Sequence, residues 1–156
     1  MLNIVKITDY MSKDLITLDL KSRTKDAVLE ELSVLMSKSP NIQDKNIIKK
    51  ALMEREELGS TGIGKGIAIP HAKTDTASKL TVAFGISKEK IDFNSLDKEG
   101  VNIFFVFASP IEDSQIYLKV LARISRLIRN ESFRNKLMNC QTPEEVIKYI
   151  DEEEAV

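Results

Sequence analysis

The chain is poor in the residues that most often carry chemistry: one cysteine, one histidine and no tryptophan among 156 residues. A single cysteine, Cys140, excludes a disulfide framework within the chain, and a single histidine excludes any metal site built on two histidine ligands. Neither sign of charge is in excess, with 23 Lys and Arg against 24 Asp and Glu and a formal net charge of -1. A nucleic-acid module usually carries a basic excess or stripe, so this balance argues against one. Long apolar runs are missing too. The longest, Ile103 to Ala108, falls far short of the roughly 18 residues that a membrane span needs. Asp9 and Asp14 interrupt the basic-then-apolar order that a signal peptide requires. These absences predict a cytoplasmic domain without direct membrane insertion. What remains is ordinary: 42% hydrophobic and 30% charged residues, the composition of a folded globular chain. Any histidine chemistry must use His71.

Periodicity predicts a sheet flanked by helices, an α/β (α+β) fold in a single domain over residues 1–150. Leu15-Ile16-Thr17-Leu18 reads as a short strand. Val28, Leu32 and Leu35 follow helical spacing after Thr24. A second helix is expected from Asn41, a good N-cap, to Leu58, with Gly59 as its stop and Ile48, Ala51, Leu52 and then Arg55 on its apolar stripe. Two strands follow, Leu80 to Ser87 and Val101 to Ala108. The second is nearly all apolar, as a strand covered on both faces should be. Tyr117, Leu121, Ile124 and Ile128 mark the core face of a long helix, and a short one is expected from Ser132 to Met138. The last helix has a capping-box start, with Thr142 as N-cap, Pro143 at the first position and Glu145 three residues after the cap. Residues 151–156, with the run Asp151-Glu152-Glu153-Glu154, read as a solvated acidic tail.

Between the second helix and the strands lies Gly59-Ser60-Thr61-Gly62-Ile63-Gly64-Lys65-Gly66, followed by Ile67-Ala68-Ile69-Pro70-His71. The first seven residues match a nucleotide P-loop, but Gly66 stands where a Ser or Thr would hold Mg²⁺. The order is also reversed, since a P-loop follows a strand and opens a helix. Alternating glycines are costly in backbone entropy unless unusual φ values or close approach demand them. One reason for them is an anion cradle: backbone N–H groups of Gly62 and Gly64 and the hydroxyls of Ser60 and Thr61 would surround a phosphoryl group without a metal. A neutral imidazole, with reference pKa near 6.5, is a competent nucleophile for that group. A lone histidine beside an apolar strand is, however, more often a packed structural residue.

The stretch Glu54-Arg55-Glu56, then Ser60 through Ile69-Pro70-His71-Ala72-Lys73, closely resembles the active-site signature of the fructose/mannitol-type enzyme IIA domains of the bacterial phosphoenolpyruvate:sugar phosphotransferase system. The resemblance runs from Leu15-Ile16-Thr17-Leu18-Asp19-Leu20 to the final helix. It implies a mixed β-sheet flanked by helices on both faces and no cofactor. It also implies that His71 is phosphorylated by the small histidine-containing phosphocarrier protein and passes the group to a cysteine of an enzyme IIB domain, at the periphery of a membrane permease complex. Arg55 matches the family's active-site arginine. One departure stands out. The family often has a second histidine just before a Leu-x-x-Leu-Ala pattern, and before Leu118-Lys119-Val120-Leu121-Ala122 this chain has Tyr117. Tyr117 is therefore a possible site-lining residue, or a plain core aromatic. A different reading keeps the fold and changes the role: a regulatory interaction module like the nitrogen-related enzyme IIA proteins, whose phosphorylation state controls other proteins.

Overall fold

In the computed structural model, which describes residues 5–112 and 114–156, a short strand β1 (Ile16–Thr17) leads into helices α1 (Lys25–Met36) and α2 (Lys45–Glu57). Strands β2 (Gly62–Gly64), β3 (Ile67–Ala68), β4 (His71–Lys73), β5 (Thr81–Ile91) and β6 (Val101–Ser109) follow. Helices α3 (Ser114–Leu127), α4 (Glu131–Met138) and α5 (Pro143–Glu154) complete the chain. Residues 1–4 of the expected domain lie outside the described residues.

The strands form one mixed sheet in the order β1-β5-β6-β3-β2, with β4 also paired to β6. β5 and β6 run antiparallel, whereas β3 and β4 both run parallel to β6, one after the other along its edge. The apolar run of β6 is explained by its neighbours. Ile103, Phe105 and Phe107 pack in the core that includes Val120, Ile124, Phe133 and Val146 of α3, α4 and α5. Phe104, Val106 and Ala108 point the other way, into the core built with Leu29, Leu32, Ile48 and Leu52 of α1 and α2. Because side chains alternate across a strand, only a strand buried on both faces reads as continuously hydrophobic.

Local signals hold for most helices. Thr24 caps α1 by accepting from the Ala27 N–H at 3.2 Å, and α5 begins with the complete capping box at Thr142 and Glu145. Two starts move. The cap of α2 is Asp44, whose Oδ1 accepts from the Asn46 N–H at 2.8 Å, while Asn41 donates instead to Thr81 Oγ1 at 3.2 Å. The cap of α4 is Asn130, bonded to the Phe133 N–H at 3.3 Å.

The acidic end is not a free, solvated tail. Residues 151–154 are the last turn of α5. The Glu154 carboxylate, with its side chain 5% exposed, sits 2.5 Å from Arg123 Nε and accepts from the Ile7 N–H at 2.9 Å. Thr8 donates to Asp151 at 2.5 Å. The cation and the N-terminal donors offset the cost of ending a helix in carboxylates, and so tie the start of the chain to its end. No helix among the described residues is long and apolar enough to cross a membrane.

Candidate functional site

Pro70 separates β3 from β4: its carbonyl accepts from the Phe107 N–H at 2.9 Å, but it has no N–H to give β6, and the pairing that stops at Ala68 resumes at His71. The register pairs His71 with Phe107 and Lys73 with Ser109. His71 and Lys73, two residues apart, therefore share the face of the sheet that carries Phe107 and Ser109. α3 lies on this face, and α2 approaches from beyond the edge. Between them opens a cavity of about 740 Å³, lined by Arg55 and Leu58 of α2 and its exit, His71 and Lys73 of β4, Ser109 of β6, and Tyr117 and Leu118 of α3.

The imidazole is held on several sides. Tyr117 stacks on it with ring centroids 3.9 Å apart and planes inclined by 17°, and Phe107 meets it edge-on at 6.3 Å. Its Nε2 lies 2.8 Å from the Ser109 hydroxyl. Burial, and then repulsion from Lys73 and Arg55, lower its pKa to about 4. It is thus neutral at pH 7, with a lone pair on one nitrogen and two cations near it. Burial raises the pKa of the Tyr117 phenol, which stays protonated. Cys140 is no competitor as a nucleophile, because burial, with help from Glu145, pushes its thiol up to about 11. No cluster of three or more metal-ligating acidic, His or Cys side chains exists among the described residues.

Arg55 lines the cavity, but it is not the inward residue of its helix. It is exposed, and its Nη1 donates to the Gly59 carbonyl at 2.8 Å, closing the end of α2. The stripe Ile48–Leu52 continues instead to Glu56, which is buried. Its carboxylate sits 3.0 Å from Lys25 Nζ, accepts from the Thr61 N–H at 3.1 Å and from the Thr61 hydroxyl. Periodicity alone did not single out Glu56, since a carboxylate on an apolar stripe is read as a break in the stripe.

The anion cradle expected from Ser60, Thr61, Gly62 and Gly64 is not formed; none of the four lines the cavity. The Ser60 hydroxyl donates to the Phe93 carbonyl at 2.5 Å and accepts from the Gly62 N–H at 2.9 Å. Thr61 is committed to Glu56. The glycines serve a hairpin. β2 and β3 are joined by Lys65 and Gly66, with φ of 59° and 79°, and two positive φ values are what a type I′ turn demands. Gly62 is required by crowding, since a Cβ there would stand 2.2 Å from Ser95 Oγ. Backbone geometry and an anion cradle leave the same glycine pattern in a sequence, and only tertiary packing separates them.

Ser109 and Lys73 were not among the expected site residues. The register that brings Ser109 to His71 is a long-range pairing, and the only local trace of it is a serine closing an apolar strand.

The fold and the extent of the sequence agree on one class. The sequence model of the phosphoenolpyruvate-dependent sugar phosphotransferase system, EIIA 2 family matches residues 9–153, and the chain belongs to that family. It is 34% identical over 145 residues to the fructose-specific EIIA component of Haloferax volcanii, covering 93% of this chain and 94% of that one. It is also 34% identical over 148 residues to the fructose-specific EIIABC component of Bacillus subtilis, covering 95% of this chain but only 23% of that longer protein. Among solved structures, the nitrogen regulatory protein IIA-Ntr of Neisseria meningitidis superimposes with a TM-score of 0.86 at 29% identity, over 92% of this chain and 98% of that one.

Proposed function

We propose that this chain carries a phosphoryl group on His71, taken from the small histidine-containing phosphocarrier protein and given to a cysteine of an enzyme IIB domain, in the service of fructose-type sugar uptake. The observation that carries the reading is the state of His71: the one imidazole of the chain, neutral at pH 7, on an open cavity and beside the cations of Arg55 and Lys73. A neutral ring supplies the lone pair for attack on phosphorus, and the cations offset the charge of the arriving group. As the new N–P bond forms, the bond to the donor nitrogen breaks and its electron pair returns to the donor. The protein's contribution is positioning and charge, as is usual in phosphoryl transfer. The fructose-specific names of two relatives, both 34% identical, support uptake. The name of the B. subtilis relative, an EIIABC component, supports a B-type acceptor.

A second reading, a regulatory module whose phosphorylation state controls other proteins, is favoured by the likeness to IIA-Ntr. A cognate IIB acceptor separates the two. Incubation with purified general phosphotransferase components and labelled phosphoenolpyruvate is expected to give an acid-labile, base-stable label that is absent from His71→Ala. Label persisting in that variant, or missing from the wild type, overturns the assignment. Arg55→Ala is expected to slow transfer by tenfold or more, as loss of a charge-assisted contact of about 1.5–3 kcal/mol would, with the fold retained. Transfer onward to a purified fructose-type IIB, and not to regulatory partners, would favour uptake.

A further inference from the structure

Tyr117, which precedes Leu118-Lys119-Val120-Leu121-Ala122, offers His71 its ring face rather than a hydrogen bond, being stacked nearly parallel at 3.9 Å. The polar contact to the ring comes from another element: Ser109, at the end of β6, with Oγ 2.8 Å from Nε2. This contact has two possible senses, Nε2–H donating to the hydroxyl or the hydroxyl donating to the Nε2 lone pair. Burial decides between them. Ser109 is 1% exposed, and its hydroxyl has no other partner among the described residues. If Nε2–H were the donor, a buried hydroxyl proton would have no acceptor, an arrangement that native interiors avoid. With the hydroxyl as donor, both groups are satisfied and the imidazole proton resides on Nδ1.

We propose that Ser109 is a positioning residue for His71: its hydroxyl donates to Nε2, holds the ring in the Nδ1–H tautomer and so makes Nε2 the nitrogen that takes the phosphoryl group. This rests on the phosphocarrier reading of His71. In the transfer the Nε2 lone pair forms the N–P bond while the donor's bond breaks and its electron pair returns to the donor; the positive charge that this leaves on the ring is relieved by loss of the Nδ1 proton to solvent. The Ser109 hydroxyl, displaced from the lone pair by phosphorus, turns to donate to a phosphoryl oxygen. Ser109 thus supplies from the sheet the hydrogen bond that Tyr117 does not supply from α3.

A chain with one histidine makes the test direct. Long-range ¹H–¹⁵N NMR of the full chain, labelled at the histidine ring, is expected to show a protonated Nδ1 and an unprotonated Nε2 at pH 7 before any phosphorylation. In Ser109→Ala the tautomer preference should fall about threefold to tenfold, the worth of one net hydrogen bond. The titration of the ring should move upward, because a donor to the neutral ring has been lost. The other titratable and charged groups that line the cavity with His71, namely Glu54, Arg55 and Glu57 of α2, Lys73 of β4 and Tyr117 of α3, are unchanged in that variant. Ser109→Thr, which keeps the hydroxyl, is expected to restore the tautomer. On the phosphorylated protein, Ser109→Ala should lose phosphate faster by a similar factor. A protonated Nε2 in the wild type, or an unchanged tautomer ratio in a folded Ser109→Ala, overturns the proposal. A wild type that shows the expected tautomer but takes no phosphoryl group overturns the phosphocarrier reading instead, so the two fail separately.

Discussion

Acid should destabilise this protein through its one histidine, and the size of the effect follows from the environment of His71. In the unfolded chain an imidazole titrates near 6.5, whereas in the folded protein burial, Lys73 and Arg55 hold it at about 4. Between those two values the unfolded state binds a proton that the folded state refuses, so acidification favours unfolding. The contribution is fully present above pH 6.5 and is lost as pH falls through that window to about 4. At about 1.4 kcal/mol per pH unit, the gap between 6.5 and about 4 is worth at most about 3.5 kcal/mol. The ring is half-buried and borders an open cavity, so solvent screening brings the expected loss to about 2 kcal/mol. The assay is urea unfolding of the wild type and His71→Gln at pH 7, 6, 5 and 4. Carboxylates titrate in both proteins, so the difference between the two curves isolates the imidazole. That difference should shift against the wild type by about 2 kcal/mol between pH 7 and pH 4. A difference that stays flat, or a His71 resonance that titrates near 6.5 in the folded protein, refutes the claim that the ring is held neutral by its surroundings.

Other outcomes follow from contacts outside the cavity. Glu56→Ala leaves the Thr61 N–H and the Lys25 ammonium without their carboxylate and should cost about 2–4 kcal/mol in chemical denaturation, with Glu56→Gln costing less. Gly62→Ala drives a Cβ into Ser95 Oγ and should cost about 1–3 kcal/mol. The same change in a Ser95→Gly background should recover most of that loss, so additive costs would show that crowding is not the reason for the glycine. Ser95 Oγ is itself buried without a hydrogen-bond partner among the described residues, so Ser95→Ala should leave stability unchanged or slightly raised. Glu154→Ala breaks the contacts to Arg123 and Ile7 and should lower stability by about 1–2 kcal/mol, together with faster amide exchange at Ile7.

Local order was readable wherever the cause was local. The cap at Thr142, the change of period after Thr24, the period of α1 and α3, and the doubly buried β6 all rest on interactions within a few residues or on a one-dimensional pattern of polarity. The candidate nucleophile was readable as well, because a single histidine leaves no choice and its flanking motif is long and specific. The rest of the site depended on contacts distant in sequence. Ser109 reaches His71 only because β4 joins β6 in a particular parallel register. Ser60 and Thr61 lie next to the motif but bond to Phe93 and Glu56.

The sequence by itself determined the helices, the strands outside the glycine run, the doubly buried β6 and the one imidazole available as a candidate nucleophile, because composition, period and scarcity are properties of the chain alone. The tertiary structure decided what each polar group does. It turned the glycine run into a hairpin, made Glu56 a buried anchor and the acidic end a clasp, and placed a serine and a tyrosine around His71. The physical reason is that a hydrogen bond or a stacked ring is satisfied by whatever lies within a few ångströms, and strand register and helix packing settle what that is.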